Sequence, residues 1–117
     1  MWEIELFATA SGDEVVADFL DSLPRKHRAK AIWEIELLSV QGTALTLPYA
    51  RHIDGDLWEL RIKFASDISR IFYFIPMKNK IVLLHGFVKK SDKTPPGEID
   101  IAQKRMADYK ARYSDES

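Results

Sequence analysis

The chain has 117 residues, no cysteine and a formal net charge of −1. Its length fits one domain, its 46% hydrophobic content excludes a disordered tail, and the missing cysteine excludes disulfides and cysteine-based metal sites. The start, Met1-Trp2-Glu3-Ile4-Glu5-Leu6, is acidic where a signal peptide is basic, and no apolar run reaches the ~18 residues of a membrane span, so a single cytoplasmic domain over 1–117 is expected.

Trp2 to Phe7 alternates apolar and acidic residues, which predicts a strand with one buried face. Ser11 and Glu14 are spaced as a capping box for a first helix with the stripe Val15, Val16, Phe19 and Leu20. Leu23-Pro24 breaks the chain, with Pro24 suited to a first helical position. A longer helix follows, with Ala31, Ile32, Ile35 and Leu38 on one face and Gly42 at its end. Residues 41–56 read as a loop because of Gly42, Pro48 and Asp54-Gly55-Asp56. Three dense apolar runs come next, at 57–64, 68–75 and 81–88. Their short connections predict a three-stranded antiparallel meander. A final amphipathic helix carries Ile99, Ala102, Met106, Tyr109 and Tyr113. The expected class is α+β, a mainly antiparallel sheet with helices packed on one face.

Charge is unevenly spread. Residues 1–50 hold four Lys/Arg against eight Asp/Glu, residues 51–93 hold nine against five, and residues 94–117 hold four against five. A basic segment inside an acidic chain is compatible with nucleic acid, and equally with a solvated surface. Alternation puts Trp58, Leu60, Ile62 and Phe64 in the core and Leu57, Glu59, Arg61 and Lys63 on an exposed face. Arg70 is the one charge in the next run, so it must reach solvent, a carboxylate such as Glu59, or a phosphate. His85, Phe87 and Lys89 share a face by the same period, although a histidine in an apolar run also fits a satisfied core residue.

Such a face suits RNA, since arginine and lysine bind phosphate and aromatics such as Phe87 or Tyr73 stack on bases. It also suits phosphodiester cleavage, which needs charge stabilised on phosphorus and protons moved at two oxygens. Lys26 and Arg28 are expected on the solvent face of the second helix. His52, Asp54 and Asp56 resemble a metal cluster on paper, but Asp and Gly here read as a turn. No phosphate-cradling glycine loop, Gly-x-Ser-x-Gly or His-Glu-x-x-His is present. No metal or other cofactor is expected.

Leu57-Trp58-Glu59-Leu60-Arg61, Ser69-Arg70-Ile71-Phe72-Tyr73, Leu84-His85-Gly86-Phe87-Val88-Lys89-Lys90, Lys93-Thr94-Pro95 and a helix opening near Glu98-Ile99 follow one another in order. This series resembles the HigB-like, phage-derived branch of the RelE toxin superfamily. The resemblance implies a RelE-like fold with two N-terminal helices on one face of the sheet and a C-terminal helix. It implies the toxin of a type II toxin–antitoxin system, a metal-independent mRNA interferase that cuts messenger RNA, often on the ribosome. It implies a helix-turn-helix antitoxin as partner. Carried over, the functional residues are Arg61, Arg70, His85, Lys89 and Lys90; together with the face read above, the catalytic candidates are Arg61, Arg70, His85 and Lys89, and the RNA-binding candidates are Lys63, Phe87 and Lys90. The slightly acidic overall balance departs from many such relatives. The alternatives are a ParE-like toxin of the same fold that binds DNA gyrase without catalysis, and an inactive phage-derived relative.

Overall fold

The computed structural model describes residues 1–89 and 95–114. The elements run β1 (Glu3–Leu6), α1 (Val15–Ser22), α2 (Arg25–Gln41), a short 3-10 turn (Gly42–Ala44), β2 (Ala50–Asp54), β3 (Leu57–Phe64), β4 (Asp67–Met77), β5 (Lys80–Lys89) and α3 (Pro96–Ser114). They form an α+β domain around one five-stranded sheet in the order β1-β5-β4-β3-β2. The β2–β5 neighbours are antiparallel, and β1 pairs with β5 in parallel.

The expected meander is present, and its strands extend to within two residues of each other. The turns are Ala65-Ser66 and Lys78-Asn79, with Ala65 at φ 55° and Asn79 at φ 68°. Positive φ lets a two-residue turn follow the right-handed twist of its strands. The stretch 41–56 is not all loop, because β2 lies within it. Arg51-His52-Ile53-Asp54 has a single apolar residue and gives no alternation to read, yet it completes the ladder with β3. His52, Asp54 and Asp56 belong to the tight β2–β3 turn, where His52 Nε2 lies 2.6 Å from Gly55 O.

The helices behave less simply than their apolar spacing predicts. α1 begins at Val15, and Glu14 makes no side-chain cap. Ser11 instead donates to Asp13 in a small turn that also uses Thr9, so the capping box does not form. Pro24 precedes α2 as its cap. The buried face of α2 is His27, Ala31, Glu34 and Leu38, whereas Ile32 and Trp33 remain 43% and 49% exposed. Two polar residues occupy core positions there. His27 pairs with the Ser69 hydroxyl of β4, and Lys30 Nζ lies 3.1 Å from Glu34 Oε2. Burial raises the Glu34 carboxyl above its ordinary range against the pull of Lys30. Lys26 is exposed as expected, and Arg28 is half-buried.

The two faces of the sheet are covered separately. Val16 of α1, Leu23 between the helices, and Ala31 and Leu38 of α2 pack on Leu60, Ile62, Ile71, Tyr73, Ile81 and Leu83. On the opposite face, Ala102, Met106 and Tyr109 of α3 pack on Leu57, Phe72, Phe74, Val82 and Leu84. Helices therefore lie on both faces, which explains why β4 reads as nearly continuous apolar sequence. It also corrects the expectation for Leu57 and Glu59, which are fully buried rather than exposed.

Candidate functional site

One half of the α3 face is left open by that helix, and the sheet register assembles the charged residues there. Arg51 stands opposite Glu59, and Arg61 opposite Arg70. Arg70 in turn stands opposite Phe87, Phe72 opposite His85, and Ile68 opposite Lys89. A one-residue bulge makes the last row possible. Phe72 pairs with His85 while Tyr73 pairs with Leu83, so Leu84 is extra and the alternation of β5 changes phase there. Val82 and Leu84 face α3 before the bulge, and His85, Phe87 and Lys89 continue on the same face after it. Gly86 points to the other face, where a Cβ would collide with the Phe19 ring. The glycine between His85 and Phe87 is a packing requirement of α1.

Glu59 organises the cations. Its Oε1 accepts from Arg70 Nη1 at 2.8 Å and from Arg51 Nε at 3.0 Å, and Arg61 Nε approaches to 3.9 Å. Glu59 and Arg70 have no exposed surface. A buried guanidinium needs such a partner, because the desolvation of an unpaired charge costs several kcal/mol, on the order of 3–5 when a partner is removed. Of the two readings open for Arg70, the internal ion pair is the one found. Arg70 holds Glu59 and does not reach the surface. Arg51 and Arg61 keep 35% and 24% of their side chains exposed. The Arg61 Nε is buried without a hydrogen-bond acceptor among the described residues. Beside it, a groove of about 240 Å³ is lined by Pro48, Arg61, Lys63 and Ile68, with Lys63 exposed.

A second cluster sits beside it on β4 and β5. Phe72, His85 and Phe87 form a ring stack, with centroids 5.5 Å apart for the two phenylalanines and 5.8 Å for His85 and Phe87. His85 is clamped by α3. Its Nε2 meets the Glu98 carboxylate, and Arg105 Nη1 lies 2.9 Å from Nδ1 and 3.0 Å from the Leu84 carbonyl. Burial lowers the pKa of the Arg105 guanidinium, partly offset by the Glu98 charge. Phe87 and Lys89 are half-buried on the same face. Lys90 lies outside the described residues.

The structure thus brings Arg61, Lys63, Arg70, His85, Phe87 and Lys89 onto one face. Three further residues join them: Arg51, Glu98 and Arg105. Arg51 lies on a strand whose sequence reads as loop, so alternation could not place it. Glu98 and Arg105 are seven residues apart, two turns on one helix face, which is the only sequence signal that they act together. Among the described residues there is no group of three or more His, Asp or Glu placed to hold a metal ion, and no helix long and apolar enough to cross a membrane.

The model of the family described as "Phage derived protein Gp49-like (DUF891)" matches residues 18–107, from α1 into the last turns of α3. No curated protein matches the chain. The matched span contains β2 to β5 and both charged clusters. The chain belongs to this Gp49-like family of phage-derived proteins, here a small α+β domain whose mixed sheet and helices have a RelE-like architecture.

Proposed function

We propose that the protein is the toxin of a type II toxin–antitoxin pair, an endoribonuclease that cuts messenger RNA, with a helix-turn-helix antitoxin as its partner. The observation that carries this reading is the open cationic wall of Arg51, Arg61 and Lys63, braced from behind by the buried Glu59–Arg70 pair. A wall of this kind serves a phosphodiester in two ways. It attracts the RNA backbone, and it presents fixed positive charge where a pentavalent phosphorane gathers negative charge. Because Arg51 is hydrogen-bonded to Glu59 and Arg61 lies beside the same carboxylate, little reorganisation is needed when that charge develops. In this reading Arg61 meets the reacting phosphate, Lys63 and Lys89 hold the backbone, and Arg70 positions Glu59. Phe87, stacked beside His85, offers a face to a base. The chemistry is transesterification by a 2′-hydroxyl and draws on no metal.

The test is induction of the wild type and of an Arg61→Ala/Lys63→Ala variant, followed by mapping of messenger RNA 5′ ends. The wild type should create new ends, and the variant should reduce them by about 100-fold or more. Both exchanged side chains reach solvent, so the variant should fold. Growth arrest with intact messages and inhibited DNA gyrase would overturn the ribonuclease reading in favour of a gyrase-binding toxin on the same surface.

A further inference from the structure

We infer that Glu98 of α3, rather than His85, is the proton acceptor that meets the RNA, with His85 and Arg105 behind it as positioning residues. This rests on the ribonuclease reading above. His85 is poorly placed to take a proton from a substrate. Its side chain is 13% exposed, and both ring nitrogens are engaged. Arginine can only donate, so the Arg105 contact makes Nδ1 an acceptor. The ring proton then lies on Nε2 and points at the Glu98 carboxylate. Glu98 is the outer member of the pair, with 30% of its side chain in solvent at the first turn of α3.

The Glu98–His85 pair is also correctly disposed to the cations. Glu59, Phe72 and His85 lie on three adjacent strands in register, so the Glu59 and His85 positions are ~10 Å apart across the sheet. Arg51, Arg61 and Lys63 thus stand on other strands of the same face as His85, while Arg105 is the cation beside Glu98. The 2′-hydroxyl loses its proton to Glu98 as its oxygen bonds to phosphorus. The bond from phosphorus to the 5′ oxygen breaks, and that oxygen takes a proton from water. A 2′,3′-cyclic phosphate and a 5′-hydroxyl result, and Glu98 returns its proton to solvent. Hydrogen-bond donation from His85 Nε2 holds the carboxylate, and Arg105 holds the tautomer that donates.

The experiment is cleavage kinetics on message-bearing ribosomes with wild type, Glu98→Gln and Glu98→Ala. Gln keeps the size and can accept from His85, but it cannot take a proton. Glu98→Gln should lower kcat by about 100-fold or more and leave KM within about twofold. Formate should restore at least about tenfold of the activity lost in Glu98→Ala, a rescue that a purely structural carboxylate would not permit. Wild-type kcat in Glu98→Gln, or a loss in both variants that formate leaves unchanged, overturns the assignment while the ribonuclease reading stands. If the wild type itself cleaves no message, the ribonuclease reading falls and takes this inference with it.

Discussion

The two faces of the sheet solve the burial problem differently. Under α1 and α2 the face is a mostly apolar core, with Leu60, Ile62, Ile71 and Leu83 fully buried, His27–Ser69 tying helix to sheet and Glu34 buried beside Lys30. Under α3 the apolar core stops halfway, and the other half is filled by Glu59, Arg51, Arg61 and Arg70. The first face supplies the stability. The second spends some of it on holding charge in a fixed arrangement. β3 joins the two, because Leu60 and Glu59 are neighbours in sequence and point to opposite faces.

The sharpest way to break this contrast is at Glu59. Removing it leaves Arg70 buried without its carboxylate, so Glu59→Ala should cost about 4 kcal/mol in urea denaturation. A cost under ~1 kcal/mol would mean that Arg70 finds water and that the charged half is not a fixed assembly. The matching change on the other face is Leu60→Ala. It should cost about 3 kcal/mol by loss of buried methyl groups and the cavity they leave. Smaller again is Gly86→Ala, in which the new Cβ must displace the Phe19 ring, for about 2 kcal/mol. Thermal melts of Gly86→Ala with and without Phe19→Ala check it. Their penalties should be less than additive, because removing the ring makes room for the new methyl group.

The same contrast explains what could be read in the sequence. The apolar face was legible because its signal is periodic: Trp58, Leu60, Ile62 and Phe64 alternate, and β4 and β5 are dense enough to force a sheet. Arg61 and Lys63 share a face by the same period, and the pairing of β3 with β4 adds Arg70 to it. The signal failed where polar residues take core positions, as with His27 and Glu34 in α2, and where Ile32 and Trp33 are left outside. It failed for β2, whose ladder depends on a partner and not on its own pattern. The bulge at Leu84 reverses the phase of β5, and no local residue announces it. Glu98 and Arg105 reach His85 only because α3 docks on that face, so their role depends on tertiary packing.

Alkali offers a finer comparison, because each face buries one tyrosine. Burial pushes the Tyr73 phenol on the α1/α2 side well above its ordinary value. On the α3 side, burial and then the charge of Glu5 raise Tyr109 to about 12. An unfolded tyrosine ionises near pH ~10. Below that pH both states carry a neutral phenol, and the native state keeps its full stability. Above it the unfolded chain ionises first, so stability falls as pH rises from about 10 towards the native values. Tyr109→Phe removes one source of that fall and should flatten the stability profile between pH ~10 and ~12, with little effect at neutral pH. Tyr73→Phe should flatten the profile over the same range and further up, since Tyr73 is the more strongly shifted. Urea midpoints measured across this range decide the matter. A Tyr109→Phe profile as steep as the wild type would mean that α3 lifts from the sheet before the phenol ionises. The two faces would then open separately, and α3 would release His85 while the α1/α2 core was still folded.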